Sequence, residues 1–167
     1  GRAVAHLDIM LEQPCETLDD IAVIRPLHSE PVSVDETLVT LQDAARIARE
    51  GLAEVFGIKL GRVGGLTKAA RIRDIALGHG IDMFVMATGG TVLADTEALH
   101  LAATVPDTAC RAVWACQDMI TAEIAGGRGP RNTAGHLHLP EGPGLGVHPD
   151  KAELGEPVAT YGGQSRP

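Results

Sequence analysis

Short apolar runs recur along the chain, and each leads into a polar residue and then into a stretch with helical spacing. "LDIMLEQP" (Leu7 to Pro14) runs into Glu12, "PVSVDE" (Pro31 to Glu36) into Asp35, and "VFGIK" (Val55 to Lys59) into Lys59. "IDMFVMATGG" (Ile81 to Gly90) runs into Ala87 and Thr88, and "RAVWACQD" (Arg111 to Asp118) ends near Gln117. The stretches between them predict helices. Thr17 followed by Asp20 is an N-cap with an acid in the first turn, and Ile21, Ile24 and Leu27 then keep helical spacing. Thr40 with Asp43 repeats the device ahead of Leu41, Ala44, Ala45, Ile47 and Ala48, with Gly51 as the stop. Leu66, Ala69, Ala70, Ile72 and Ile75 predict a third helix ended by Gly78, and Ala94 to Thr104 a fourth, stopped before Pro106.

Strands alternating with such helices are βαβ units, which imply an α/β fold with a parallel sheet. The strand-end residues Glu12, Asp35 and Lys59 stand 23 and 24 positions apart. That is near the roughly 30 residues per unit of a (β/α)₈ barrel. A doubly wound open sheet gives similar spacing, but no G-x-G-x-x-G phosphate loop follows the first strand. After Ala125 the chain turns dense in Gly and Pro and loses both periods, so residues 1–125 are expected to form the sheet unit and 126–167 a tail packed on it. His136 and His138 in that tail are expected to be a surface pair, since no third ligand candidate stands near them.

Composition narrows the function classes. With 44% hydrophobic and 22% charged residues, the 167-residue chain has the make-up of a soluble globular domain. A net charge of -8 argues against nucleic acid or an anionic membrane as partner. No apolar run approaches a membrane span, and no stretch resembles a signal peptide. Cys15, Cys110 and Cys116 form no C-x-x-C pair, which fits a reducing compartment and gives the cytoplasm as the expected location.

In a parallel barrel the carboxyl ends of all strands open on one face, so Glu12, Asp35 and Lys59 are expected as neighbours there. Two adjacent carboxylates suit a hard cation such as Mg²⁺. A lysine beside a cation and shielded from solvent loses its proton more readily and can serve as a base. The residues alone leave a second account open, in which these are solvated strand termini joined by a surface salt bridge.

"LEQP", "VDE" and "IKLGRVGG" at these separations resemble the mandelate racemase/muconate lactonizing enzyme group of the enolase superfamily. The resemblance implies about strands 4 to 8 of a (β/α)7β TIM-type barrel, with Mg²⁺ as cofactor and a small-molecule carboxylate as substrate. It implies Glu12 and Asp35 as metal ligands, Lys59 as the proton-transfer residue and Glu36 as a carboxylate behind them. "LEQPCETLDDIAVIR", "ATGGTVLADTEALHLA" and "CQDMITAEIAGGRGPRN" are similar to the cis-3-hydroxy-L-proline dehydratases of that superfamily. This narrower likeness implies loss of water from a hydroxyproline, with Thr88, Gly89, Trp114 and Gln117 as substrate contacts. Ala87 departs from the pattern, in which an acid often stands beside the T-G-G segment. The family's second-strand lysine, third-strand aspartate and N-terminal capping domain are expected outside this chain, and a homo-oligomer is expected for the full-length form. A racemase or epimerase of an amino acid, a proline derivative or a dipeptide, and a non-catalytic half-barrel, are the competing readings.

Overall fold

A computed structural model describes Val4, residues 6–87 and residues 89–159. The elements alternate as the apolar pattern predicts: β1 (Leu11–Glu12), α1 (Leu18–Ile24), β2 (Val32–Val34), α2 (Leu41–Glu50), β3 (Val55–Lys59), α3 (Leu60–Val63), α4 (Leu66–Gly78), β4 (Asp82–Met86), α5 (Val92–Ala102) and β5 (Cys110–Trp114), followed by a short α6 (Lys151–Leu154). All pairings are parallel, and the strand order β1-β2-β3-β4-β5 is the chain order.

The two faces of the sheet are chemically different. Val32, Val34, Phe56, Ile58, Met83 and Val85 pack into the core with Ile21, Ala44, Ile47, Ala69, Ile72, Ala98 and Leu101 from the helices. Each large apolar side chain buried there contributes roughly 1.5–3 kcal/mol. The alternate residues face the other way, in register rows: Val55 beside Asp82, Gly57 beside Phe84, and Lys59 beside Met86. Met86 is in turn paired with Trp114. The period of 2 therefore puts Lys59, Met86 and Trp114 in one row at the carboxyl ends of three strands.

Local signals set most boundaries. Thr17 accepts a hydrogen bond from the Asp20 amide at the start of α1. Thr40 and Asp43 form a reciprocal capping box on α2, and Gly51 closes that helix in the left-handed conformation. Three boundaries differ from expectation. Pro26, which lacks an N–H, turns the end of α1 into a 3₁₀ turn, Arg25–Leu27, and leaves Leu27 74% exposed instead of on the buried stripe. Gly78 is the last residue of α4, and the left-handed residue beyond it is Gly80. Helix α5 starts at Val92, because Thr91 caps it by accepting from the Leu93 amide.

Beyond Ala125 the described chain is mostly turns, with an isolated antiparallel bridge between Thr133 and His136. It touches the sheet unit where the Leu145 carbonyl meets His100 Nε2 at 3.1 Å and where Val147 is buried. Among the described residues no helix is long and apolar enough to cross a membrane. Replacing Thr40 by Ala removes the bond that its hydroxyl accepts from the Asp43 amide and leaves the bond from its own backbone amide to the Asp43 carboxylate in place. We expect a loss of about 1 kcal/mol in urea-induced unfolding, with the cooperativity of the transition unchanged.

Candidate active site at the strand ends

The parallel strands bring Asp35 and Lys59 into direct contact. Lys59 Nζ donates to Asp35 Oδ2 at 2.5 Å, and Glu36 Oε1 lies 4.0 Å from the same nitrogen. Arg62 donates to Asp35 Oδ1 at 2.7 Å and also to the Asp35 carbonyl. Arg62 reaches the site because the short helix α3 begins directly after Lys59, and one helical turn brings the two cations to the same side. Gly64 and Gly65, with φ of 88° and 96°, then reverse the chain into α4, a path that side chains with a Cβ resist. Gly61 is helical and takes no part in that turn.

Asp35 is 3% exposed, so its charge is held by partners and not by water. Burial pushes its carboxyl upward, but hydrogen bonds from Arg62 and Lys59, together with the Arg62 charge, outweigh that and hold it below the ordinary value of 3.8. Gln13 fixes the backbone around it. The Gln13 Oε1 accepts from the amides of Asp35 at 2.7 Å and Thr37 at 3.3 Å, and from the Thr37 hydroxyl at 3.2 Å. Gln13 itself sits at φ 40°, an unfavourable backbone for a residue with a Cβ, and these bonds offset the strain. Gly57 leaves room beneath the acid. A Cβ there would lie 3.0 Å from Met86 Cε and from the Val34 carbonyl oxygen, and 3.4 Å from Asp35 Oδ1.

The other expected residues are placed as follows. Glu12 pairs with Ser33, two positions before Asp35, so it shares a sheet face with Asp35 and is exposed there. Trp114 lies in the Lys59–Met86 row and is 49% exposed. Gly89, at φ 59°, lies in the loop after β4, and Thr88 lies outside the described residues. Gln117 lies beyond the end of β5, where it is buried and donates from Nε2 to Asp95 Oδ2 at 2.5 Å. Sequence spacing did not single out Gln13, Arg62 or Asp95. Arg62 alone had a local signal, three positions after Lys59 in "IKLGR".

The hard oxygens of Glu12 and Asp35, on one face of adjacent strands, fit a divalent cation such as Mg²⁺. Each Asp35 oxygen keeps lone-pair capacity beyond its bonds to Lys59 and Arg62. Among the described residues no group of three or more His, Cys, Asp or Glu side chains is arranged to hold a metal. His136 and His138 are exposed and line a different cleft, of about 600 Å³, against α5 and β5.

Acids and a lysine gathered at the carboxyl ends of parallel strands, with helices packed behind, are the arrangement expected of part of a barrel-type α/β fold. The chain belongs to the family described as Enolase C-terminal domain-like, which matches residues 1–153. It is 34% identical over 159 residues to a cis-3-hydroxy-L-proline dehydratase of Roseibium aggregatum, covering 95% of this chain and 43% of that protein. A crystal structure from Silicibacter pomeroyi, placed among the mandelate racemase/muconate lactonizing enzymes, superposes with a TM-score of 0.90 at 80% identity, over 94% of this chain and 43% of that one. An enolase-superfamily member from Roseovarius nubinhibens, complexed with magnesium, superposes with a TM-score of 0.88 at 42% identity, over 92% and 42% of the two chains. The chain therefore spans less than half the length of these relatives.

A carboxyl group held below its ordinary value adds stability that is complete above that value and fades as pH falls through the lower, folded one. The stability difference between the native protein and Asp35→Asn should therefore be constant near neutrality. It should shrink once the pH drops below 3.8, as read from urea unfolding at a series of pH values.

Proposed function

We propose that the protein is a magnesium-dependent lyase that removes the proton α to a carboxylate and eliminates water from cis-3-hydroxy-L-proline, giving Δ1-pyrroline-2-carboxylate. The observation that carries this reading is the Lys59 Nζ held at 2.5 Å from the buried Asp35, with Glu12 on the same face of the next strand but one. The 34% identity to the Roseibium aggregatum dehydratase supports the choice of substrate.

A proton α to a carboxylate is weakly acidic, because its removal concentrates negative charge on the carboxylate oxygens. When bound by Glu12 and Asp35, Mg²⁺ supplies the positive charge that stabilises this enediolate. Lys59 is the proton-transfer residue at the α carbon, and its Nζ is aimed by Asp35 Oδ2. Arg62 and Gln13 hold Asp35 from its other side, so the acid keeps its place while Lys59 exchanges a proton. The bond between C2 and hydrogen breaks, C2=C3 forms and the 3-hydroxyl leaves. The proton accepted from C2 balances the one that departs with the hydroxyl as water. The enamine then gains a proton on C3 and loses one from nitrogen, which moves the double bond to C=N. Trp114 and Met86 offer apolar surface to the ring carbons beside Lys59, and Thr88, Gly89 and Gln117 are the proposed polar contacts. Glu36, 4.0 Å from Lys59 Nζ, adds negative charge behind the lysine.

The test uses the gene product as the cell makes it, with cis-3-hydroxy-L-proline labelled by deuterium on the α carbon. We expect Mg²⁺-dependent loss of the label and formation of the pyrroline, abolished by a chelator and restored by Mg²⁺. Lys59→Ala should slow the reaction by about 10²- to 10⁴-fold. An inverted α carbon with unchanged mass would replace the lyase by a racemase or epimerase. No exchange of the α hydrogen with any hydroxyproline or proline would overturn the enzymatic reading altogether.

A further inference from the structure

Among the described residues, Asp95 is the most deeply buried acid that the proposed chemistry does not use. It lies in the first turn of α5 and is 1% exposed. The Cys116 amide donates to both of its oxygens, at 3.0 and 2.9 Å, and Gln117 Nε2 donates to Oδ2 at 2.5 Å. The amino-terminal end of an 11-residue helix favours a negative charge at this position. The carboxylate thus ties α5, which follows β4, to the segment that leaves β5 at the same end of the sheet as Lys59.

This contact decides which way round the Gln117 side chain stands. A carboxylate only accepts hydrogen bonds, so the amide must turn its NH₂ group to Asp95 and its Oε1 away from it. Gln117 also lines a cavity of about 80 Å³ together with Trp114, Pro130 and Asn132. With Nε2 turned to Asp95, the free end of the amide is its carbonyl oxygen, an acceptor. An amide with two possible orientations could present either its oxygen or its NH₂ group at one place, whereas an amide locked by a buried acid presents its oxygen on the side away from that acid.

We propose that Asp95 is a positioning residue that fixes Gln117 as a hydrogen-bond acceptor, so that the strand-end site selects ligands carrying a donor, a ring N–H or a hydroxyl, next to the Trp114 side chain. The proposal rests on the reading of the strand ends as a substrate site and names the polarity that this site demands. It makes selection depend on a residue that does not itself touch the ligand.

The experiment measures binding without turnover, by calorimetry on the gene product carrying Lys59→Ala in the presence of Mg²⁺. Two ligand pairs exchange a donor for an acceptor of similar size: cis-3-hydroxy-L-proline against cis-3-fluoro-L-proline, and L-proline against tetrahydrofuran-2-carboxylate. The protein should favour the donor member of at least one pair by about tenfold. In Asp95→Asn the new amide can donate to Gln117 Oε1, which lets the glutamine reverse, and the preference should vanish or invert. Gln117→Met, close in volume and unable to accept, should lose the preference while keeping the fold. The Nε2 protons of Gln117 give a second readout by NMR: their downfield position in the native protein should be lost in Asp95→Asn. Weaker binding of both members by the same factor in the variants, with the preference intact, would overturn the proposal and leave Asp95 a structural residue. Because no turnover is needed, a donor preference that responds to Asp95 in a protein with no dehydratase activity would sink the reaction and spare this inference. Dehydration by a protein whose preference ignores Asp95 would do the reverse.

Discussion

A carboxylate withdrawn from water at the end of a strand is tolerated only where positive charge and hydrogen-bond donors replace the solvent it has lost. Asp35 meets that condition with Lys59 on one oxygen and Arg62 on the other. Leaving one such charge buried and unpaired costs several kcal/mol, so these contacts constrain everything around them. The turn of α3 must follow β3 without a gap, so that Arg62 can reach back. Position 57 must stay without a side chain, and Gln13 must accept an unusual backbone to bond the amide beneath the acid. The same arrangement that makes the buried charge bearable leaves a lysine and two acids side by side, which is a chemically competent grouping.

Asp95 repeats the principle with neutral donors. Its partners are a backbone amide and a side-chain amide, and among the described residues no cation is paired with it. Asp35 therefore belongs to a site where charge meets charge. Asp95 converts burial into orientation, since an acceptor with no water around it dictates how each neighbour must turn. The two acids sit on different βα units, so the two arrangements are built by separate pieces of chain.

What could be seen in the sequence follows the range of the interaction. The caps at Thr17 and Thr40 depend on residues three positions away, and both were legible. The five strands were legible because each apolar run is short and ends in a polar residue. The convergence of Asp35 and Lys59 followed from parallel strands alone. The contacts of Gln13 and Asp95 were not legible, because their bonds reach residues 22 positions or so along the chain, and the motifs they stand in gave neither a role. Leu27 shows the opposite limit. Its spacing matched the helix, but Pro26 shortened the helix before the stripe reached it. The family relation came from motifs, and periodicity alone would have allowed an open doubly wound sheet.

The strand order, identical to the order of synthesis, has a consequence for assembly. Each strand pairs with the one made just before it, so the sheet can grow by addition at one edge as the chain emerges. Asp35 arrives 24 residues before Lys59 and 27 before Arg62. During that interval neither Lys59 nor Arg62 is available to it, and burying the acid without them carries a penalty. Final packing of the acid at the end of β2 thus depends on the docking of β3 and α3. The ion pair acts as a latch on the growing end, and the charge that serves the site also sets the smallest length of chain that can close around it.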